Sequence, residues 1–252
     1  MRPKSGRRRF PSRPFFTEAG DAGKSERRTC LDRQGNLRLN LAETEGKISV
    51  VNARSETAAA DIAESLEARV IRRLCGRTLV MVGMMGAGKS SVGRRLAARL
   101  GMPFVDADTE IEKAANASIN DIFERHGEAY FRDGERRVIQ RLLDGQPKVL
   151  ATGGGAFVNP ETRAAIKASA ISVWLKADRD LLMSRVKRRS NRPLLKSANL
   201  DTVLDRLIEE RNPHYAEATI HVQSRDVAHD VVINDILKSL DDYFDRETTV
   251  EA

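Results

Sequence analysis

Residues 83–90 read Gly83-Met84-Met85-Gly86-Ala87-Gly88-Lys89-Ser90. That spacing suits one chemistry, the holding of a phosphate. Glycines let the backbone curl so that successive N–H groups point inward at an anion, and a helix starting there adds its positive end. Lys89 supplies a point charge that can reach the outer phosphates. The Ser90 hydroxyl is a hard oxygen of the kind magnesium accepts. The pattern G-x-x-x-x-G-K-[ST] is met in full. A second group follows in Phe104-Val105-Asp106-Ala107-Asp108. Two carboxylates two residues apart on a strand point the same way. At the carboxyl end of a strand beside a phosphate loop they meet ligand. Magnesium or substrate duty is expected of them, with Asp108 as a helix cap the alternative. A third group is Thr152-Gly153-Gly154-Gly155. It follows Val149-Leu150-Ala151, where many phosphate-loop enzymes end a strand with a magnesium-holding Asp. Three glycines either let a small polar ligand approach the backbone or make a flexible turn.

These groups need a frame, and the hydrophobic pattern supplies one. Thr78–Val82 is a short β-branched, apolar run, and a helix to Leu100 should follow the Gly-rich turn, with Val92, Leu96 and Leu100 on one face. Further strands are expected at Met102–Val105, Lys148–Ala151, Ala170–Leu175 and residues 219–222. Helices are expected over 118–143, from Pro160, and over 178–188, 200–212 and 229–244. A polar, basic loop fills 190–198. Strands alternating with helices predict a three-layer α/β/α fold around a five-stranded parallel sheet with right-handed crossovers. No internal repeat is visible.

Of the 252 residues, the first 75 differ from the rest. They begin with an Arg-, Pro- and Gly-rich stretch without hydrophobic period, which reads as disordered. No acidic residue precedes Glu18, a faint likeness to an organelle presequence, but a non-globular tail is the expectation. From Thr57 to Leu74, Ala58, Ile62, Leu66, Val70 and Leu74 recur every four residues as in one amphipathic helix. The expected organisation is therefore an extension over 1–75 and a catalytic domain over 76–252.

The formal charge of +7 invites a nucleic-acid reading, but its placement speaks against one. Residues 1–75 hold 16 Lys/Arg and 10 Asp/Glu, while residues 76–252 hold 27 and 26. The domain is thus nearly neutral, with no electrostatic footprint for a phosphate backbone. Aromatics at 5% also argue against base stacking. No apolar run approaches the ~18 residues of a membrane span. Cys30 and Cys75 cannot form a disulfide scaffold or a four-ligand zinc site, so a cytoplasmic setting is expected. Neither nucleic acid nor membrane is an expected partner, and a monomer is expected.

Six ordered motifs resemble those of the shikimate kinase family. They are the phosphate loop, Asp106–Glu112 (D-x-D-x-x-I-E), Asp121–Arg132 (D-I-F-x-x-x-G-E-x-x-F-R), Thr152–Gly155 (T-G-G-G), Arg192–Leu195 (R-P-L-L) and Glu210–Tyr215 (E-R-x-P-x-Y). The resemblance spans residues ~78–243, in sequence order. It implies a P-loop NTPase fold, similar to nucleoside monophosphate kinases, with a mobile lid near 188–199. It implies phosphorylation of the 3-hydroxyl of shikimate by ATP with Mg2+, in the route to chorismate and aromatic amino acids. It assigns ATP binding to Gly86, Ala87, Gly88, Lys89, Ser90, Ser91, Arg185 and Arg192. Ser90 would ligate magnesium, with Asp106 in the outer shell. Asp108 would bind shikimate hydroxyls and take or relay the attacking proton. Arg132 and Arg211 would hold its carboxylate, Gly154 and Gly155 its ring, and Phe123 and Phe131 would wall the site. Lys89, Asp108 and Arg192 are the expected catalytic residues.

The chemistry agrees with that allocation. A planar guanidinium grips a carboxylate bidentately. Phosphoryl transfer rests mostly on positioning and charge stabilisation. The stretch Arg188-Arg189-Ser190-Asn191-Arg192 is too polar to pack inside and could fold over ATP to exclude water. The chain departs from the family near its last strand, where Ser224-Arg225-Asp226-Val227-Ala228 lacks a common proline, so Arg225 is not assigned to adenine. His126 is expected to be a bystander, and His214 is left open. The competing expectation is another P-loop small-molecule kinase, such as a gluconate kinase.

Overall fold

Five apolar runs become strands: β1 (Thr78–Val82), β2 (Phe104–Asp106), β3 (Val149–Ala151), β4 (Ala170–Ala177) and β5 (Ile220–Ser224). In this computed structural model the described residues are 64–188 and 200–250. The strands pair in parallel in the order β2-β3-β1-β4-β5. Parallel neighbours need crossovers, and the crossover helices cover both faces of the sheet. The central strands β1 and β3 are accordingly buried along their whole length. The helices are α1 (Leu66–Leu74), α2 (Lys89–Arg99), α3 (Ala107–Ala115), α4 (Ile119–Leu143), α5 (Pro160–Ser169), α6 (Arg179–Lys187), α7 (Leu200–Tyr215) and α8 (His229–Val250). The expected three-layer α/β/α architecture is present.

Several local readings change. β2 ends at Asp106, and Asp106 is also the N-cap of α3, its side chain accepting from the Asp108 N–H at 3.1 Å. The two carboxylates therefore straddle a strand–helix junction rather than share a strand, and the cap is Asp106, not Asp108. The 118–143 stretch is helical but broken at Gly127, whose φ of 80° and ψ of 176° lie outside the helical region. Ser118 and Asp121 close a capping box ahead of that break. α7 runs through Pro213 to Tyr215, beyond the expected end at 212. Proline removes one backbone bond, but the fully buried Tyr215 anchors the last turn.

α1 begins at Leu66, with Ser65 as its N-cap. The expected helix start at Thr57 and the segment to residue 63 lie outside the described residues. Val70 and Leu74 join the main core, and α1 packs on α8. Arg69 and Arg73 meet Asp241 of α8 at 2.6 and 2.9 Å. Arg99, at the end of α2, reaches Glu67 of α1 at 2.7 Å and Asn234 of α8 at 2.6 Å.

Candidate active site

The phosphate loop leaves β1 at Val82 and delivers the chain into α2 at Lys89. Lys89 Nζ donates to the Gly83 and Met84 carbonyls at 2.8 and 2.9 Å, which holds the ammonium beside the hollow of the loop. Ser90 Oγ donates to Asp106 Oδ2 at 2.7 Å. A small polar cavity of about 30 Å3 is bounded by Gly86, Gly88, Lys89, Ser90 and Ser91 on one side, and by Asp106, Asp108 and Thr152–Gly154 on the other. Thr152 Oγ1 donates to the Met81 carbonyl at 3.0 Å and pins the glycine turn to β1. Ala87 is buried, and its carbonyl accepts from Ser224 Oγ at 2.9 Å.

Asp108, Gly153 and Gly154 also border a second cavity of about 300 Å3. Four elements build its wall. α3 contributes Asp108 and Glu112, and α4 contributes Phe123, Phe131, Arg132 and Glu135. The glycine turn and Arg211 of α7 complete it. Phe123 and Phe131 pack against each other, ring centroids 4.6 Å apart. Arg132 Nη1 donates to Glu135 Oε2 at 2.7 Å, and its Nε and Nη2 donate to Glu128 Oε1 at 3.2 and 3.1 Å. Two buried polar atoms in this wall, Glu135 Oε1 and Arg211 Nε, have no hydrogen-bond partner. Leaving such atoms unsatisfied is costly, and a polar ligand offering donors and acceptors would relieve it.

The glycines are explained by their neighbours. A Cβ on Gly153 would lie 2.7 Å from Glu135 Oε1 and 3.0 Å from Asp108 Oδ1. One on Gly155 would lie 2.5 Å from Arg132 Nη1. A side chain at either position would push these charged ends away from the turn. Burial holds the Glu135 carboxyl above its ordinary range, outweighing the pull of Arg132, and the nearby Asp108 pushes the same way. The Arg132 guanidinium is raised by Glu135 and Glu128 against the effect of its own burial.

A third cavity, of about 320 Å3, shares Gly86, Gly88 and Ser91 with the phosphate hollow and extends to Arg185, Ser224–Val227 and His229. Arg185 Nη1 donates to Ser224 Oγ at 3.1 Å and Gly86 O at 3.4 Å, and its Nη2 donates to Arg225 O at 3.0 Å. Arg225 itself pairs with Asp235. The three cavities thus form one path across the carboxyl ends of the strands.

Most of the expected site residues meet on this path: the phosphate loop, Asp106, Asp108, Arg132, Gly154, Gly155, Arg185 and Arg211. Of the lid expected at 188–199, only Arg188 is described, and it borders the third cavity; residues 189–199, Arg192 among them, lie outside the described residues. His126 is exposed against Tyr130, and His214 borders none of the three cavities. Sequence reasoning passed over Glu135, Glu112 and Met85. Glu112 closes the D-x-D-x-x-I-E motif and Met85 lies in the phosphate loop, while the signal of Glu135 was its place three residues beyond Arg132 on one helix face. The hydroxyl of Ser90 and the carboxylate of Asp106 are a pair of hard oxygens at the mouth of the loop, and their chemistry fits magnesium.

A phosphate loop opening onto a separate charged cavity, on a parallel sheet, defines a small-molecule kinase of the P-loop class. The family model for shikimate kinase matches residues 85–241. A shikimate kinase of Bradyrhizobium diazoefficiens is 57% identical over 183 residues, covering 73% of this chain and 88% of the relative. One from Rhodopseudomonas palustris is 58% identical over 177 residues, 70% of this chain and 87% of its own. Among solved structures, shikimate kinase from Acinetobacter baumannii in complex with shikimate superposes with a TM-score of 0.62 at 39% identity, over 64% of this chain and 91% of that one. The enzyme from Aquifex aeolicus gives 0.58 at 36%, over 65% and 96%. The chain belongs to the shikimate kinase family, which sets the gluconate kinase alternative aside.

Proposed function

We propose that the chain transfers the γ-phosphoryl group of ATP to the 3-hydroxyl of shikimate, releasing ADP and shikimate 3-phosphate. The observation that carries the acceptor assignment is the wall of the 300 Å3 cavity. It combines two arginines, fit to clamp one carboxylate, with a carboxylate shared with the phosphate hollow. Arg132 and Arg211 hold the acid group, each guanidinium offering a fork of donors. Asp108 accepts a hydrogen bond from the attacking hydroxyl. It takes or relays that proton as the new O–P bond forms and the bond to the β-phosphate oxygen breaks. The loop N–H groups and Lys89 hold the phosphates and stabilise the charge of the transition state. Arg192, from the lid, adds a second positive charge there. Ser90 would ligate magnesium with Asp106 in the outer shell, and the bound ion would neutralise phosphate charge. Arg185, Ser224 and the chain beyond it border the nucleotide's base. Phe123 and Phe131 wall the ring of the acceptor. The catalytic domain runs from 76 to 252 in this reading. All its working parts lie in one chain, so a monomer suffices. A cytoplasmic setting is the reading that two cysteines in 252 residues favour. None of the described helices is long and apolar enough to cross a membrane.

Coupled ADP release with a panel of polyol acids tests the assignment. Shikimate should be turned over well and its neutral amide analogue poorly. Asp108→Asn should lose turnover by about 10²-fold or more, as removal of a general base does, while calorimetry with ATP alone stays near native. A large loss of ATP affinity would move Asp108 to the magnesium role given to Asp106.

A further inference from the structure

Tyr215 lies at the last turn of α7, four residues after Arg211 and on the same helix face. It is completely buried, although its phenol needs a partner. The hydroxyl donates to the Gly154 carbonyl, and Met84 Sδ of the phosphate loop lies 3.8 Å away. A phenol has one proton, and a carbonyl is a far better acceptor than a thioether. Burial pushes the hydroxyl up to about 12, against a downward pull from the charge of Arg211, so it remains a donor at neutral pH. One buried hydroxyl therefore touches the glycine turn, the phosphate loop and the neighbourhood of an acceptor-binding arginine.

We propose that Tyr215 is a positioning residue for the acceptor: by holding the Gly154 carbonyl, its hydroxyl orients the peptide plane that the glycine turn presents to the ligand. The Gly154 carbonyl and the Gly155 N–H belong to a single planar, trans unit. Holding the oxygen on one side fixes the donor on the other. The turn's own bond, from the Ala156 N–H to the Gly153 carbonyl at 3.3 Å, closes around this unit but does not hold its carbonyl, and successive glycines leave φ and ψ wide freedom. Thr152 pins the turn at its start, and Arg132 packs against Gly155 at its end. Between them, Tyr215 is the side chain that bonds the Gly154 carbonyl. The Gly154 Cα also faces Arg211, since a Cβ there would lie 3.5 Å from Arg211 Nη1. A turn of this plane would thus disturb both the backbone donor and the guanidinium beside it. The cavity bordered by Arg185 and Ser224–Val227, proposed for the nucleotide's base, does not include Gly154.

The inference rests on shikimate being the acceptor, and the test separates the two. Tyr215→Phe keeps the ring that packs 6.0 Å from Trp174 and removes only the hydroxyl. The KM for shikimate should rise about tenfold, the scale of one lost buried hydrogen bond, while the KM for ATP stays within twofold. Shikimate affinity measured by calorimetry should fall in parallel. Placing 4-aminophenylalanine at 215 restores a para donor and should recover most of the loss, which a packing role would not allow. A shikimate KM within twofold of native in Tyr215→Phe overturns the proposal. So does an equal rise for both substrates, or a loss the amino variant leaves unrepaired. Absence of shikimate turnover by the native enzyme overturns the functional reading and the inference with it. Normal native turnover with unchanged Tyr215→Phe constants overturns the inference alone.

Discussion

The two ends of the cleft are made of different material. The phosphate end is one stretch of chain: a strand, a glycine turn and the first residues of a helix, all within residues 78–91. Its anion-binding groups are backbone N–H groups and one lysine that is itself bonded to the loop. The acceptor end draws Asp108, Arg132, Glu135, Gly153–Gly155 and Arg211 from three helices and a turn, more than a hundred residues apart at the extremes. In the proposed reading its recognition is done by side chains in a partly apolar cavity. A backbone cradle is generic for phosphates and tolerates most side-chain changes. A cage of charged side chains is specific and fails at single positions.

Lys89→Ala strikes the one side chain on which the phosphate end depends, and gives the largest expected effect. Turnover should fall by roughly 10²- to 10³-fold or more, because charge placement dominates phosphoryl transfer. Circular dichroism should show a folded protein. Near-native activity in that folded variant would break the contrast at its stronger end.

At the acceptor end, Arg132→Ala and Arg211→Ala should each raise the shikimate KM about 10- to 100-fold, the value of a charge-assisted hydrogen bond or two. The KM for ATP should move little. Losses in the double variant should be non-additive, because both groups grip one anion. Steady-state kinetics on the four forms closes the cycle. Additive losses would mean that the two arginines hold different groups.

A smaller effect is expected from α1, which touches neither end. A chain beginning at Ser65 should match the full chain in kinetics and melting temperature. One beginning at Gly76 should keep its kinetic constants at low temperature but melt several degrees lower. The buried Val70 and Leu74 are worth roughly 1.5–3 kcal/mol each, and two ion pairs to Asp241 go with them. A tenfold fall in kcat/KM with unchanged folding would place α1 in the site.

The smallest effect is electrostatic. Glu135 has its carboxyl raised above 4.5 in the folded protein. The native state then binds this proton more tightly than the unfolded chain does. Its contribution is most favourable below about pH 4.5 and is lost as pH rises through the folded value. Urea midpoints should show this decline in the native protein and a flatter profile in Glu135→Gln. Equal slopes would mean that Arg132 compensates the charge fully.

The sequence by itself determined the phosphate end and the succession of strands and helices along the chain, while the strand order came from the fold. A loop whose working groups are consecutive backbone amides is written in consecutive letters. Buried parallel strands likewise write themselves as short apolar runs. Asp106 and Asp108 were legible as a pair, but not their division between a strand end and a helix start, because a one-residue shift of β2 decides it. At the acceptor end, Asp108 and the three glycines were legible by residue type, Arg132 and Arg211 only through their family motifs, and Glu135 was passed over. On spacing alone, Arg132 and Arg211 are ordinary helix-surface cations. Tertiary structure made them a site by packing α4 and α7 beside one turn. It also supplied the reason for the glycines, since the groups that would collide with a Cβ at 153 and 155 arrive from α3 and α4. Glu135 joined the cavity wall only when folding buried it and made Arg132 its partner. α1 likewise reads in sequence as the end of a polar extension, and it is the fold that seats Val70 and Leu74 against α8. Local hydrogen bonding and periodicity are short-range and show in one dimension. Desolvation and the convergence of distant charges are not, and they exist only once the chain has folded.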